Sequence, residues 1–251
     1  MSPHIVTLSF DDGFERSSIR TAEIFESHGL AAELHVVATG HLRESSDAWH
    51  NRWPKGDFEL WNELKARGHT VMPHGYRHVN KAELPLPEAQ RLIDRCLDVF
   101  AAELRGFEAS QASFAFPYNR STPALEAWLA GRVRAFRTRG DAVMPLPRAG
   151  QQRVTCVSFG PDRCDEDLLR LVESFLAGPP GWLCYNLHGL DDEGWGPVGS
   201  DTLDLLLGRL IARGVRVLPI ATALDLAAEE LPAQSVSGVT TTDSTERLVG
   251  P

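Results

Sequence analysis

Four short segments carry residue types that could perform hydrolytic chemistry together. Leu8-Ser9-Phe10-Asp11-Asp12-Gly13 sets two carboxylates side by side before a glycine that frees the turn. At the end of a strand neighbouring side chains diverge, so one carboxylate can bind a metal while the other faces a substrate as a base. His74-Gly75-Tyr76-Arg77-His78 presents two imidazoles four residues apart. One helical turn there would put both on one side, as a divalent transition metal needs. Phe116-Pro117-Tyr118-Asn119 is a sharp turn whose backbone N–H can face a developing oxyanion. Leu187-His188-Gly189 closes an apolar run, and His188 is a candidate general acid because a small shift moves an imidazole pKa across neutrality.

Each segment also has an ordinary reading. Asp-Asp-Gly can cap the next helix, two histidines can sit on the surface, Pro-Tyr can be a packed corner, and a lone histidine can be a satisfied core residue. Position is what joins the four, because all of them fall at the carboxyl ends of strands.

The elements that must position them alternate between short β-rich runs and stretches of helical period. Strands are expected at Ile5–Leu8, Glu33–Val37, Thr70–Met72, Ser113–Phe116, Arg134–Thr138, Val154–Phe159, Trp182–Leu187 and Val215–Ile220. Helices are expected near Ser17–His28, Phe58–Arg67, Pro87–Arg105, Thr122–Leu129, Glu166–Leu176, Asp201–Arg213 and Thr222–Glu230. Seven or eight β/α units in 251 residues point to a parallel α/β barrel, whose catalytic face is the carboxyl end of its strands. A single domain over residues 1–231 is expected, followed by a polar, flexible tail over 232–251 that is rich in Ser and Thr.

These motifs resemble those of the polysaccharide deacetylases with the NodB homology domain, carbohydrate esterase family 4, over roughly Ile5 to Leu226. Ser9-Phe10-Asp11-Asp12-Gly13 is similar to the family's Thr-Phe-Asp-Asp-Gly, which implies Asp11 as catalytic base and Asp12 as metal ligand. His74 and His78 match its His-Ser/Thr-x-x-His and would be the other two ligands. Phe116-Pro117-Tyr118 resembles the segment whose tyrosine N–H helps form the oxyanion hole, and Leu187-His188 resembles the last motif, with His188 as general acid. The resemblance implies a distorted (β/α)7 TIM-like barrel and metal-assisted removal of an acyl group, usually the acetyl of an N-acetylhexosamine.

The chain departs from that pattern at several points. Ala115 stands where many members carry an arginine that holds the catalytic aspartate, Gly75 replaces a Ser or Thr, and Asn119 stands where glycine is common. No Asp-x-x-Asp-Trp segment is recognisable to orient the final histidine. Arg137, Arg139 and Asp141 are the candidates to fill such supporting roles. Trp49, Trp53 and Trp195 lie in loops expected on the catalytic side, where they could stack on a sugar or pack the loops.

Composition narrows the partners. Lys plus Arg is 25 and Asp plus Glu is 34, a net charge of −9 that repels a phosphate backbone, so no nucleic-acid partner is expected. No apolar run approaches the ~18 residues of a membrane span, and the first residues do not read as a secretory signal, so a cytoplasmic location is expected. The four cysteines are scattered and read as buried thiols. Zinc is the default for two histidines and a carboxylate, while cobalt, nickel, manganese or iron fit similar ligands. The expected substrate is a saccharide or small molecule bearing an acyl group. A small linear or cyclic amide, an imide or ureide, is the alternative, and a catalytically degenerate binding barrel is the reading outside enzymology.

Overall fold

The computed structural model describes residues 4–43 and 50–229. Trp49 and the tail expected over 232–251 lie outside the described residues. The chain is mixed α/β, with strands and helices alternating as the periodicity predicts. The strands are β1 (Ile5–Asp12), β2 (Glu33–Val36), β3 (Thr70–Pro73), β4 (Ser113–Ala115), β5 (Ala135–Arg139), β6 (Val143–Met144), β7 (Arg153–Cys156), β8 (Trp182–Leu187) and β9 (Arg216–Val217). The helices are α1 (Glu15–Ser27), α2 (Phe58–Ala66), α3 (Leu86–Glu103), α4 (Pro123–Leu129), α5 (Asp165–Leu176), α6 (Ser200–Ala212) and α7 (Ile220–Glu229).

All eight residues of β1 are buried, as a strand covered on both faces must be. It pairs in parallel with β2 through Ser9–Asp12, with β8 through Ile5–Phe10, and with β9 through Ile5 and Val6. The helices cover this sheet with one apolar stripe each. In α3 the buried positions Ala89, Leu92, Ile93, Cys96, Leu97 and Phe100 recur every three or four residues. Caps set the helix starts: Asp57 accepts hydrogen bonds from the N–H groups of Glu59 and Leu60 before α2, and Thr122 accepts one from Leu125 N–H in α4.

Among the described residues the ladders form two sheets and do not close a barrel. One runs in the order β3-β2-β1-β8-β6, and the other is β4-β5-β7. They meet at two seams. Between β7 and β8 there is a single parallel bridge, Val157 to Tyr185. Beside β3, the His74 Nδ1 lies 3.0 Å from the Ala115 carbonyl at the end of β4. The two-residue β6 pairs antiparallel with β8 and has no counterpart among the expected strands, because two residues carry no readable period.

The expected strand Val215–Ile220 is shorter than its sequence suggests. Pro219 cannot donate to a ladder, and the chain turns there into α7. The Ile220 N–H instead donates to the buried Glu33 at 3.0 Å, and Glu33 also accepts from Ser113 Oγ at 3.0 Å. A buried carboxylate thus ties the start of α7 to β2 and β4.

A second buried carboxylate holds the loop that carries His188. Glu193 accepts from the Ser17 N–H at 2.8 Å and from Ser17 Oγ at 2.7 Å, in the first turn of α1. Leu190 N–H donates to the same Ser17 Oγ at 2.9 Å, and Arg16 Nε reaches Glu193 at 3.1 Å. Replacing Glu193 with alanine removes the acceptor of two buried donors, which should cost about 2–4 kcal/mol. Urea unfolding of the Glu193→Ala variant measures this, and a loss below about 0.5 kcal/mol would refute the assigned role.

Candidate metal centre and active site

β1 runs straight into the site. The expected strand Ile5–Leu8 continues to Asp12, so both carboxylates belong to the strand end, buried at 3% and 5% exposure. Asp12 adopts a left-handed backbone, φ +74°, which swings its side chain out of the strand's alternation. The two neighbouring carboxylates both lie 3.6 Å from His74 Nε2 but differ in their other partners.

Asp12 faces histidines. Its Oδ1 lies 3.6 Å from His74 Nε2, 3.4 Å from His78 Nε2 and 3.3 Å from His50 Nε2. The ligand atoms of Asp12, His74 and His78 all lie within 4.8 Å of one another, which is the separation a single ion spans. The expected helical turn between the two histidines is absent: residues 74–80 bend without helix. Gly75 explains the difference, since its φ of +102° reverses the chain after His74. A side chain there would collide with Lys81, because an added Cβ would lie 2.4 Å from Lys81 Nζ. With the backbone held at φ +102°, a Ser or Thr here would be strained and would require Lys81 to shift.

The electrostatics suit a cation. Burial holds the His74 and His78 imidazoles well below their ordinary range, against the pull of the Asp12 charge, so both are neutral at neutral pH with a lone pair to offer. The His74 Nδ1 contact to the Ala115 carbonyl fixes the proton on Nδ1 and leaves Nε2 as the donor atom. Burial would raise the Asp12 pKa, but the neighbouring imidazoles of His78 and His50 outweigh it and hold the carboxyl well below the carboxylate range. A buried anionic oxygen with the Nε2 atoms of His74 and His78 at 3.6 and 3.4 Å fits a divalent ion held between them.

Asp11 turns its Oδ1 onto Arg137 of β5, while its Oδ2 lies 3.6 Å from His74 Nε2. The Arg137 guanidinium is fully buried and donates through Nη2 to Asp11 Oδ1. Its Nη1 donates to Asn119 Oδ1 at 2.6 Å and contacts Cys156 Sγ at 3.1 Å. Burial opposes the charge on Arg137, and the Asp11 carboxylate outweighs it and keeps the guanidinium protonated. Ala115 and Arg137 are register partners across β4 and β5, so their side chains leave the same face of the sheet. Arg137 therefore reaches Asp11 from one strand over. Of the other two candidates, Arg139 is exposed at the end of β5 and Asp141 is exposed beyond it.

The Phe116-Pro117-Tyr118-Asn119 turn is a short 3-10 segment, Pro117–Asn119, with two consecutive left-handed residues: Tyr118 at φ +59° and Asn119 at φ +51°. Asn tolerates that region better than most residues, which accounts for asparagine where glycine is common. The Tyr118 ring packs 4.5 Å from His78 and remains 46% exposed. Such backbone strain is stored where surrounding contacts enforce it, here the hydrogen bonds to Asn119 from Arg137 and Thr138.

His188 follows β8 at the same end of the sheet. Its Nε2 is 3.5 Å from Asn186 Nδ2, and Trp195 meets its ring edge-on at 5.2 Å. Among the described residues no acceptor reaches its Nδ1, so the supporting role of the missing fourth motif is not filled by a carboxylate there. Trp195 and Trp53 are half-buried, Trp53 against Phe14 at 5.6 Å. His50 was not anticipated, since a single loop histidine 24 residues before His74 carries no periodic or motif signal.

Breaking the buried ion pair from one side should be costly. Arg137→Ala leaves Asp11 uncompensated and is expected to lose about 3–5 kcal/mol of stability. Denaturant unfolding tests it, and near-wild-type stability would show that Asp11 does not depend on Arg137.

The sequence model for polysaccharide deacetylase matches residues 1–140, which include Asp11, Asp12, His74, His78 and Tyr118. No curated protein matches the chain. Solved structures do share its fold. The Xyl-CE4 domain of a multidomain xylanase from the hindgut metagenome of Trinervitermes trinervoides is 12% identical, with a TM-score of 0.61 over 90% of this chain and 91% of that one. A family 4 acetyl xylan esterase from Clostridium thermocellum, in complex with a cobalt ion, is 15% identical with a TM-score of 0.60 over 88% and 91%. A peptidoglycan deacetylase from Bacillus subtilis is 13% identical with a TM-score of 0.57 over 91% and 95%. With more than half of its length matched to the family's sequence model, the chain belongs to the polysaccharide deacetylase family and is a deacetylase by class.

Proposed function

We propose that the protein is a metal-dependent hydrolase that removes an acyl group, the acetyl of an N-acetylated amino-sugar saccharide, with zinc as its ion. The observation that carries this reading is the convergence of Asp12, His74 and His78 beside a separately ion-paired Asp11 at the strand ends. Asp12 Oδ1, His74 Nε2 and His78 Nε2 would hold the ion. When bound it supplies a Lewis acid for the acyl oxygen and lowers the pKa of water toward neutrality.

The remaining work falls to this chain's own groups. Asp11, kept in place by Arg137, takes the proton of the attacking water. The backbone N–H of Tyr118, whose turn is fixed by Asn119, faces the oxyanion as the carbonyl becomes tetrahedral. His188 gives a proton to the departing nitrogen, so the amine leaves neutral rather than as an anion. Tyr118 and Trp195 offer aromatic surface on either side for a sugar ring. The same proposal takes seven of the eight parallel strands, β1, β2, β3, β4, β5, β7 and β8, as a distorted (β/α)7 barrel, opened at its two seams, and residues 1–231 as one domain.

The test is acetate release from N-acetylated chito-oligosaccharides by the zinc-loaded protein and by Asp11→Asn. The variant should keep its metal and lose turnover by about 10²- to 10⁴-fold. Undiminished turnover in Asp11→Asn would contradict the assignment of the base. Absence of acetate release by the loaded wild type, with binding of the same saccharides retained, would point to a binding barrel.

A further inference from the structure

His50 lies outside the three-residue ligand set, yet the fold delivers it to the same carboxylate oxygen. The segment that carries it is laced to the residues just after Asp12. Phe14 and Lys55 form an antiparallel bridge, Gly56 N–H donates to the Gly13 carbonyl at 3.1 Å, and Glu15 N–H donates to the Pro54 carbonyl at 3.2 Å. Lys55, itself buried, donates through Nζ to the His50 carbonyl and lies 4.6 Å over the Phe14 ring. These contacts fix the His50 backbone relative to the end of β1.

The imidazole then touches two of the three ligand residues at once. Its Nε2 is 3.3 Å from Asp12 Oδ1, and its ring stacks on that of His78 at 4.3 Å with 6° between planes. The ring is 4% exposed, so neither contact competes with bulk water. The ligand atoms that cluster within 4.8 Å of one another are those of Asp12, His74 and His78 and not of His50, which places His50 beside the ligands rather than on the ion.

From this geometry we infer that His50 is a positioning residue of the metal centre, with its Nε2 backing the Asp12 carboxylate and its ring face setting the plane of His78. The inference rests on the proposed metal centre of Asp12, His74 and His78. Outer partners of this kind typically change metal affinity by about 10- to 100-fold. The segment 50–56 thereby becomes part of the site, and its loop length and sequence bear on metal retention.

The test is zinc and cobalt affinity, by competition with a chromogenic chelator, for the 251-residue wild type and for His50→Ala, His50→Gln and His50→Phe. Melting of each metal-free protein is recorded alongside. His50→Ala should bind both metals about 10- to 100-fold more weakly while its metal-free melting temperature stays at the wild-type value. His50→Gln, which keeps an N–H donor, and His50→Phe, which keeps the stacked ring, should each recover part of the loss. Affinity of His50→Ala within about twofold of wild type overturns the inference and leaves the metal centre standing. A lowered metal-free melting temperature with no recovery in either conservative variant marks a merely structural role and also overturns it. Failure of the wild type to bind either metal defeats the underlying centre itself, which is a separate result.

Discussion

Two adjacent buried carboxylates at the end of β1 are the constraint on which the site depends. An ionised carboxylate out of water is unstable unless it is paired or ligated, and two in succession would repel each other if they faced one partner. Both lie 3.6 Å from His74 Nε2, and the structure offsets this by giving each further partners of its own. Asp11 meets the guanidinium of Arg137, while the left-handed turn at Asp12 carries its oxygen to the histidines. Asp11 is neutralised by the protein, while Asp12 sits in the donor set that the proposed function assigns to an ion.

Much of the surrounding structure follows from holding that division. Arg137 needs a buried path to Asp11, and it finds one because position 115 is alanine and shares its register. Asn119 accepts from the same guanidinium and in doing so pins the strained turn whose Tyr118 N–H is assigned to the oxyanion. Lys81 fills the space beneath Gly75, and burial without a hydrogen-bond partner lowers its pKa to about 8. Glu193 and Ser17 lock the His188 loop to the first helix, so the last motif is held by polar contacts where the family would use a different segment.

The sequence made the elements legible because their periods are clean: the buried run of β1 and the apolar stripe of α3 read directly. Spacing and resemblance put forward Asp11, Asp12, His74, His78, Tyr118 and His188 as candidates, and the structure brings Asp12, His74 and His78 together. What the sequence hid was geometry that depends on a neighbour in space. The reach of Arg137 depends on pairing between β4 and β5, which no local pattern encodes, so it stood level with Arg139 and Asp141 as a candidate. The turn between His74 and His78 looked helical from spacing alone, and only the backbone of Gly75 shows otherwise. His50 is invisible in sequence because its partners are 28 residues downstream and 38 upstream. The open seams between the sheets escaped for the same reason, since closure is a property of strand pairs and not of strands.

The central claim is that one divalent ion sits between Asp12, His74 and His78. Crystals of the protein soaked in cobalt and measured at the cobalt absorption edge test it most directly. The account predicts one strong anomalous peak about 2.0–2.2 Å from Asp12 Oδ1, His74 Nε2 and His78 Nε2. No peak there, or a peak bound by other residues with these three unoccupied, would contradict it.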